Sequence, residues 1–474
     1  MIPNLIHFSP QLALAALVII LMLQTSFYRS PRLSQLICIA GLLTAFVVAL
    51  VTVPYDSVAV MSLSRVQPAS HFFLTLVLLS AISTAWLQYH YGNSANEWQD
   101  EFYMLLTLAT LGASIVITAA HAATLILGLE LLSLSVLAML AYQRDRQTGL
   151  EAAFKFLILS GLATATMLLG LAYLYAVSGA LTFPELFTPA SQSEQTQAFG
   201  TIGLFLLLIG LCFKLSLMPF HWWTPDVYHG APVNSTLFLA TVSKTAAFVV
   251  LLQVLLYLPV DAAKSVIKLL SGIAILSMVG GNLLALQQTN LKRLFAYSAI
   301  AHMGYILVAA LLALNADSPL ALEGASYYLL AYVLSSIAIF GALTSLSNST
   351  TNRDCEQVQD IRGLFWRHPA LASVLLVATL SMAGMPLTVG FIGKFYLLSL
   401  AVEQMAWWLI GAMILGSVIG LFYYLRVILS LFEQQDEAAV LSRRSVWLSL
   451  ITLGVVLFGV LPEALGRHIS TLFS

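Results

Sequence analysis

The chain contains about fourteen apolar runs, most of them roughly 18 to 26 residues long, and these runs constrain its fold more than any other feature. About 20 apolar residues in a helix cross the roughly 30 Å hydrocarbon core of a bilayer. The runs lie near residues 8–25, 32–53, 70–90, 102–119, 121–142, 152–177, 199–219, 231–256, 264–286, 293–313, 321–346, 370–401, 405–431 and 445–466. The sequence is 60% hydrophobic and 9% charged, which excludes a soluble globular protein. We predict an all-α integral membrane protein with about 14 transmembrane helices.

Two of the runs contain helix breakers. Pro219 ends the seventh run, and Pro386, with Gly384 and Gly390 beside it, interrupts the twelfth. Proline removes a helix hydrogen bond and clashes with the preceding turn, so both runs should break into half-helices. The breaks recur five spans apart, which predicts two five-helix repeats, spans 4–8 and 9–13. Because five is odd, the repeats should be inverted in the membrane, an arrangement associated with ion sites near the midplane.

This pattern divides one polytopic membrane domain, residues 1–474, into four parts. The predicted parts are three N-terminal spans (1–99), a first repeat (100–260), a second repeat (261–432), and a C-terminal loop with the last span (433–474).

The distribution of basic residues predicts the orientation, because short cytoplasmic loops accumulate Lys and Arg. With the N-terminus outside, eleven basic residues fall on inner loops: Arg29, Arg32, Arg144, Arg146, Lys292, Arg293, Arg353, Arg362, Arg367, Arg443 and Arg444. Four fall outside: Arg65, Lys264, Lys268 and Arg467. An even number of spans places both termini on one side. We therefore predict that both termini are periplasmic.

Four charged side chains lie near the middle of predicted spans: Glu130 in the fifth, Lys214 in the seventh, Lys244 in the eighth and Lys394 in the twelfth. A charge at that depth costs about 2.5 to 3.5 kcal/mol on insertion scales, which indicates a function. Lysine suits proton transfer because its environment can bring it close to neutrality, whereas arginine stays charged. One lysine could be a static partner of Glu130. Three lysines cannot all pair with one carboxylate, and the excess favours a proton relay in which the distance of Glu130 from Lys214 acts as a switch.

Three further residues are candidates for the same path. His221 follows Pro219 by two positions, and His302 lies in the tenth span. Histidine titrates near physiological pH and can relay protons, although a lone histidine also commonly just bonds a carbonyl. Lys155 stands four residues after Glu151, which predicts either a simple helical ion pair or a point of proton uptake near the cytoplasm.

Other functional classes lack support in the sequence. The three cysteines show no CxxC pairing, which argues against zinc, iron–sulfur clusters and disulfides, and no GxGxxG or phosphate-binding loop follows a strand. A net charge of −1 provides no basic face for nucleic acid. The aromatic pairs at 222–223, 407–408 and 423–424 are interpreted as anchors at the membrane interface.

Four segments carry a family resemblance: Leu127–Leu134, Lys214–Pro232, Ser243–Lys244 and Gly384–Tyr396. They resemble the antiporter-like subunits of respiratory complex I, and the likeness extends over nearly the whole chain. It implies that Glu130, Lys214, Lys244 and Lys394 translocate protons. It also matches Lys155, His221 and His302 to polar positions of the family's central axis, with less settled roles.

The resemblance further implies a proton-translocating subunit of NADH:quinone oxidoreductase in a bacterial inner membrane. This chain would hold no cofactor, while NADH, FMN, iron–sulfur clusters and quinone would bind to partner subunits. Its partners would be other membrane subunits, including neighbouring antiporter-like ones, and the lipid bilayer. Protons would pass from the cytoplasm through Glu130, Lys155 or Lys214, then by Lys244 to Lys394 and out. A subunit of a cation/proton antiporter, or a scaffold that conducts nothing, are the alternatives.

Overall fold

The structure is a computed structural model, and it describes residues 6–60, 62–91, 99–142, 146–188, 194–315, 319–347, 354–433 and 446–473. Its α-helices are α1 (Ser9–Phe27), α2 (Pro31–Val51), α3 (Pro68–Tyr91), α4 (Gln99–Ile117), α5 (Ala122–Leu140), α6 (Gln147–Ser178), α7 (Phe183–Leu186), α8 (Glu194–Leu215), α9 (Trp223–Gly230) and α10 (Val233–Phe238). They continue with α11 (Lys244–Leu256), α12 (Val260–Leu286), α13 (Leu291–Asn315), α14 (Pro319–Leu346), α15 (Leu364–Arg367), α16 (Pro369–Ala383), α17 (Val389–Glu403), α18 (Trp407–Phe432), α19 (Val446–Val460) and α20 (Pro462–Phe473).

The remaining regular structure is short. A hairpin of β1 (Val58–Val60) and β2 (Ser64–Val66) pairs antiparallel, with Val58 opposite Val66. Two 3₁₀ turns cover Ile6–Phe8 and Val358–Ile361. A π-helical segment, Leu239–Ser243, joins α10 to α11.

The helices match the predicted spans and confirm an all-α membrane protein. Twelve helical segments in the described part of the chain are long and apolar enough to cross a membrane, and a bent pair provides a thirteenth. The predicted twelfth span is the pair of shorter helices α16 and α17. The predicted fourteenth run, 445–466, is not one helix, because α19 ends at Val460 and α20 leaves it at 87°. Pro462 begins α20, since proline fits the first turn of a helix but not its interior.

The two predicted breaks are present. Helix α8 ends at Leu215, and Ser216 adopts a left-handed backbone conformation with φ of 62°. Helix α16 ends at Ala383, its capping residue Gly384 has a left-handed φ of 83°, and α17 begins only at Val389. Proline cannot donate the backbone bond that would continue either helix, so Pro219 and Pro386 explain where the spans divide.

The chain forms two compact units. The first comprises Met1–Ala85, Asn96–Ser216 and Val242–Leu269. Within it α6 packs on α8, α1 on α2, and α4 on α5. A Cβ at Gly112 of α4 would lie 2.9 Å from the Gly128 carbonyl of α5, so small residues permit this close helix contact. Helix α5 carries Glu130, so its packing on α4 fixes where the backbone of Glu130 lies.

The second unit comprises Trp86–Ala95, Leu217–Thr241 and Leu270–Ser474. Helix α14 is its centre and packs against α13, α16, α17, α19 and α20. This central position agrees with burial, because 89% of the apolar stretch of α14 is buried. The half-helices α16 and α17 therefore share one central neighbour. The inverted relation of the two predicted repeats, and the predicted domain boundaries, stay predictions.

Two interpretations of the sequence are wrong in detail. Tyr423 and Tyr424 are 1% and 2% exposed, because their hydroxyls bond Asn282 and Ser298 inside the unit, so they are not interfacial anchors. Lys292 is not a loop cation, since it lies in the first turn of α13 and is fully buried. Trp222, Trp407 and Trp408 are exposed as predicted, whereas Trp223 is buried. Among the basic residues used for orientation, Arg144, Arg353, Arg443 and Arg444 lie outside the described residues.

Candidate functional site: two lysine centres

Lys214 joins three helices of the first unit. It lies in the last turn of α8, and its Nζ donates to the hydroxyl of Ser133 on α5 and to that of Ser160 on α6, both at 2.8 Å. The side chain is buried, with 6% exposed. A serine hydroxyl can rotate to donate or accept. The amine therefore finds hydrogen-bond partners at Ser133 and Ser160 whether or not it carries its extra proton.

Lys244 is directly linked to Lys214. Its Nζ donates to the backbone carbonyl of Lys214 at 3.1 Å and to the hydroxyl of Ser216. The Lys214 carbonyl belongs to the last turn of α8, where carbonyls lack helical partners and the helix dipole favours a cation. Lys244 is fully buried and begins α11 directly after the π-helical segment. Such segments are frequently found at functional sites.

Glu130 interacts with Lys214 through its charge. It lies three residues before Ser133 on α5, which places both side chains on one helix face. The Glu130 carboxylate attracts the Lys214 ammonium, and the positive charges of Lys244 and Lys214 repel each other. Within the described residues, the hydrogen bonds of Lys214 go to Ser133 and Ser160. The proposed role of Glu130 as a switch stays a prediction.

Lys155 forms the predicted ion pair with Glu151 on α6. The Nζ to Oε1 distance is 2.8 Å, and the side chains are 40% and 65% exposed. A pair of this kind adds only about 0.3 to 0.5 kcal/mol to helix stability. Its proposed role in proton uptake stays a prediction.

Lys394 forms the second lysine centre, in the second unit. It lies on α17, and its Nζ donates to the carbonyls of Met382 at 3.2 Å and Ala383 at 2.9 Å, at the end of α16. The same ammonium lies 5.3 Å from the ring centroid of Tyr305 on α13, within cation–π range. The break at Pro386 thus places a lysine of one half-helix against the free carbonyls of the other.

His302 lies one turn before Tyr305 on α13 and is surrounded by tyrosines. Its Nδ1 is 2.7 Å from the hydroxyl of Tyr328, and its Nε2 is 3.1 Å from that of Tyr424. The Tyr424 hydroxyl also bonds Ser298. The histidine and hydroxyl groups form a buried hydrogen-bonded chain beside Lys394. Sequence reasoning found His302 but missed Tyr305, Tyr328 and Tyr424.

His221 occupies the segment between α8 and α9. Its ring stacks on Trp222 with centroids 5.1 Å apart and lies 6.5 Å from that of Tyr297 on α13. The imidazole is buried in the second unit, with 6% exposed. The structure thus groups Lys214, Lys244 and Glu130 in the first unit, and Lys394 and His302 in the second.

Comparison with known proteins assigns the chain to a family. Residues 119–420 match the sequence profile of the NADH:quinone oxidoreductase/Mrp antiporter transmembrane family. The chain belongs to this family. It is 32% identical to a chain of respiratory complex I from Thermus thermophilus, covering 97% of this chain and 98% of that one with a TM-score of 0.82.

Two other solved structures share the fold at lower identity. A chain of the membrane-bound sulfane sulfur reductase, an archaeal respiratory complex, is 22% identical over 98% of this chain and 97% of its own, with a TM-score of 0.85. A chain of the Mrp complex from a Dietzia species is 17% identical over the same shares, with a TM-score of 0.86. The lysines of both centres lie within the matched residues 119–420.

Proposed function

We propose that this chain is a proton-translocating membrane subunit of a bacterial NADH:quinone oxidoreductase, of the type called subunit N. The 32% identity to a complex I chain from Thermus thermophilus over nearly the full length supports this assignment. Its partners are the other membrane subunits of that complex, antiporter-like ones among them. NADH, FMN, iron–sulfur clusters and quinone bind to partner subunits, and this chain couples their reaction to proton export across the inner membrane.

The buried linkage of Lys214 to Lys244 is the observation that carries the proposal. Lys214 bonds the hydroxyls of Ser133 and Ser160, and Lys244 bonds the Ser216 hydroxyl and the Lys214 carbonyl. A hydroxyl can accept from an ammonium or donate to a neutral amine, so the serine contacts tolerate the loss and return of the charge. Two neighbouring cations also repel each other, so a proton arriving at one favours departure from the other.

In the proposed route, a proton from the cytoplasm reaches Lys214 under the influence of Glu130, with Lys155 as a second candidate for uptake. It passes to Lys244, then to the second unit, where Lys394 releases it to the outer face. His221 and His302 are candidate relays along that route. Each transfer exchanges a proton between a protonated donor and a neutral acceptor, directly or through water.

The test is Lys214→Arg in the assembled complex. Arginine keeps the positive charge but cannot release its proton, so proton pumping driven by NADH oxidation should fall at least about tenfold. Lys268→Arg, at an exposed position on α12, is the matched control and should pump normally. Wild-type pumping by an assembled Lys214→Arg complex refutes the relay.

The cation/proton antiporter is a second candidate because a chain of the Mrp complex has the same fold. Purification of the native assembly distinguishes the two functions. NADH:quinone oxidoreductase activity that co-purifies with this chain supports the proposal. Cation exchange driven by a pH gradient, in an assembly without that activity, would favour the antiporter. A scaffold would tolerate both Lys214→Arg and Lys214→Met.

A further inference from the structure

Another buried lysine lies outside both lysine centres. Lys292, in the first turn of α13, is fully buried, and its Nζ donates to Oδ2 of Asp354 at 3.0 Å and to the Ala231 carbonyl at 2.7 Å. The Asp354 side chain is 1% exposed, and its Oδ1 accepts a 2.6 Å bond from the Tyr91 hydroxyl. All of these residues belong to the second unit.

Two partly exposed side chains, His229 and Glu356, lie between this ion pair and solvent, and we call them the mouth of the site. Oε1 of Glu356 lies 3.6 Å from the Lys292 ammonium, and Oε2 lies 3.6 Å from Nε2 of His229. His229 and Glu356 are 35% and 31% exposed. Burial raises the pKa of Glu356, but its bond with His229 and the charge of Lys292 outweigh burial and hold that pKa below its usual value. We name His229, Glu356, Lys292, Asp354 and Tyr91 the Lys292 cluster.

Polar groups continue from the cluster into the membrane-spanning helices. Gln88 lies one turn before Tyr91 on α3, and its Oε1 accepts a 2.9 Å bond from Asn234 on α10. Gln88 is 5% exposed and Asn234 is fully buried. The second unit therefore contains a series of polar side chains that begins at a partly exposed His–Glu pair and ends at a buried amide.

The choice of residue types distinguishes this cluster from a simple ion pair. The next residue, Arg293, forms a partly exposed salt bridge with Asp226 at 2.8 Å. The buried position carries lysine, which can release a proton, and the partly exposed one carries arginine, which cannot. Two carboxylates face Lys292 where one would neutralise it. The second carboxylate, Glu356, is the partly exposed one.

We propose that the Lys292 cluster is a proton uptake site of the second unit, on the side that the Lys and Arg distribution predicts to be cytoplasmic. The inference rests on the proposed function. A proton from bulk water binds to Glu356 or His229. Lys292 transfers one ammonium proton to the Asp354 carboxylate and is reprotonated from Glu356, so one N–H bond breaks as one O–H bond forms, and the charges balance. Protonated Asp354 then passes its proton inward through water.

The first test is Lys292→Arg, which preserves the charge and the pairing with Asp354 but cannot release a proton. Pumping by the assembled complex should fall at least about tenfold. Arginine is larger, and a buried ion pair tolerates disturbance poorly. The second variant is therefore His229→Gln combined with Glu356→Gln at the mouth, where partial exposure accommodates the change. Its pumping should also fall, by at least about threefold.

The control is Glu463→Gln, which breaks a salt bridge to Arg467 whose two side chains are 81% exposed. It should pump normally. Wild-type pumping by assembled Lys292→Arg overturns the inference, and if that variant does not assemble, wild-type pumping by the mouth variant overturns it. Lys214→Arg, measured in parallel, separates the two proposals. If Lys214→Arg abolishes pumping while the cluster variants pump normally, only the uptake site fails; if all of them pump normally, the proposed function fails as well.

Discussion

The contact between the half-helices α16 and α17 permits a prediction whose size follows from the structure. Gly390, in the first turn of α17, lies so close to α16 that a Cβ would stand 1.9 Å from the Ser381 carbonyl oxygen and 2.7 Å from its carbon. The Gly390 N–H also donates to the Ser381 hydroxyl at 3.2 Å. We expect Gly390→Ala to force the two half-helices apart, because backbone atoms on both sides cannot rotate away.

The required movement exceeds the lengthening that the hydrogen bonds of Lys394 can tolerate. Ordinary van der Waals contact begins at 3.4 Å, so the Cβ and the carbonyl must separate by about 1.5 Å. Half of that shift lengthens the 3.2 Å bond from Lys394 to the Met382 carbonyl to about 4 Å, beyond hydrogen-bond range. Overpacking of this kind costs about 1 to 3 kcal/mol, and the helix-propensity gain of alanine over glycine returns about 1 kcal/mol.

Gly411→Ala on α18 is the matched control, because a Cβ there meets nothing within 4 Å. We expect Gly411→Ala to keep or slightly raise the thermal stability of the purified complex. Gly390→Ala should lower stability and reduce NADH-driven proton pumping by more than it reduces complex assembly. Equal melting temperatures for the two variants, together with full pumping by Gly390→Ala, would refute the reasoning about Lys394.

Two further predictions follow from the first unit and from the topology. Glu130→Gln keeps the shape of the side chain but removes its attraction for Lys214, so assembly should survive while coupled proton pumping in membrane vesicles drops; loss of assembly would show that Glu130 serves helix pairing instead. The excess of Lys and Arg on alternate loops predicts that a reporter fused after Ser474 is periplasmic, as is one at the N-terminus, and cytoplasmic labelling of either end contradicts the span count or the orientation.

The spans and their breaks could be predicted because their causes are local. Run length and apolar composition set the number of helices, and Pro219 and Pro386 removed backbone donors at fixed positions. The bend between α19 and α20 has a similar local signal in Pro462, although the length of the apolar run alone predicts a single span there. Charged residues inside spans are rare enough that Lys214, Lys244 and Lys394 stood out without any structural information.

The partners of those lysines could not be predicted. Serines are common in membrane helices, so a serine alone does not predict a lysine partner. The spacing of Ser133 from Glu130 indicates a shared helix face, whereas no sequence pattern distinguishes Ser160. Tyrosine is usually an interfacial residue, and this expectation misassigned Tyr424. Its position well inside α18, away from either helix end, was the available signal. The π-helical segment before Lys244 left no recognisable sequence pattern.

Lys292 illustrates a different limit. It stood beside Arg293 at the start of an apolar run, which is where a cytoplasmic loop cation is expected. Its partner Asp354 lies 62 residues further along the chain, and Tyr91 lies on α3. Only the folded second unit brings the three together, so composition and spacing could not separate a buried ion pair from a solvated loop charge.

In the part of the chain that the structure describes, the two broken helices provide backbone carbonyls as hydrogen-bond acceptors for lysines. A helix that ends at membrane depth leaves carbonyls without partners, and the dipole at that end favours positive charge. Lys244 binds the Lys214 carbonyl at the end of α8, and Lys394 binds the Met382 and Ala383 carbonyls at the end of α16. The proline that interrupts each span therefore also creates the acceptor for a neighbouring lysine. Since a carbonyl cannot take a proton from that lysine, each ammonium stays available to an arriving water or side chain, which is the property that a proton carrier requires.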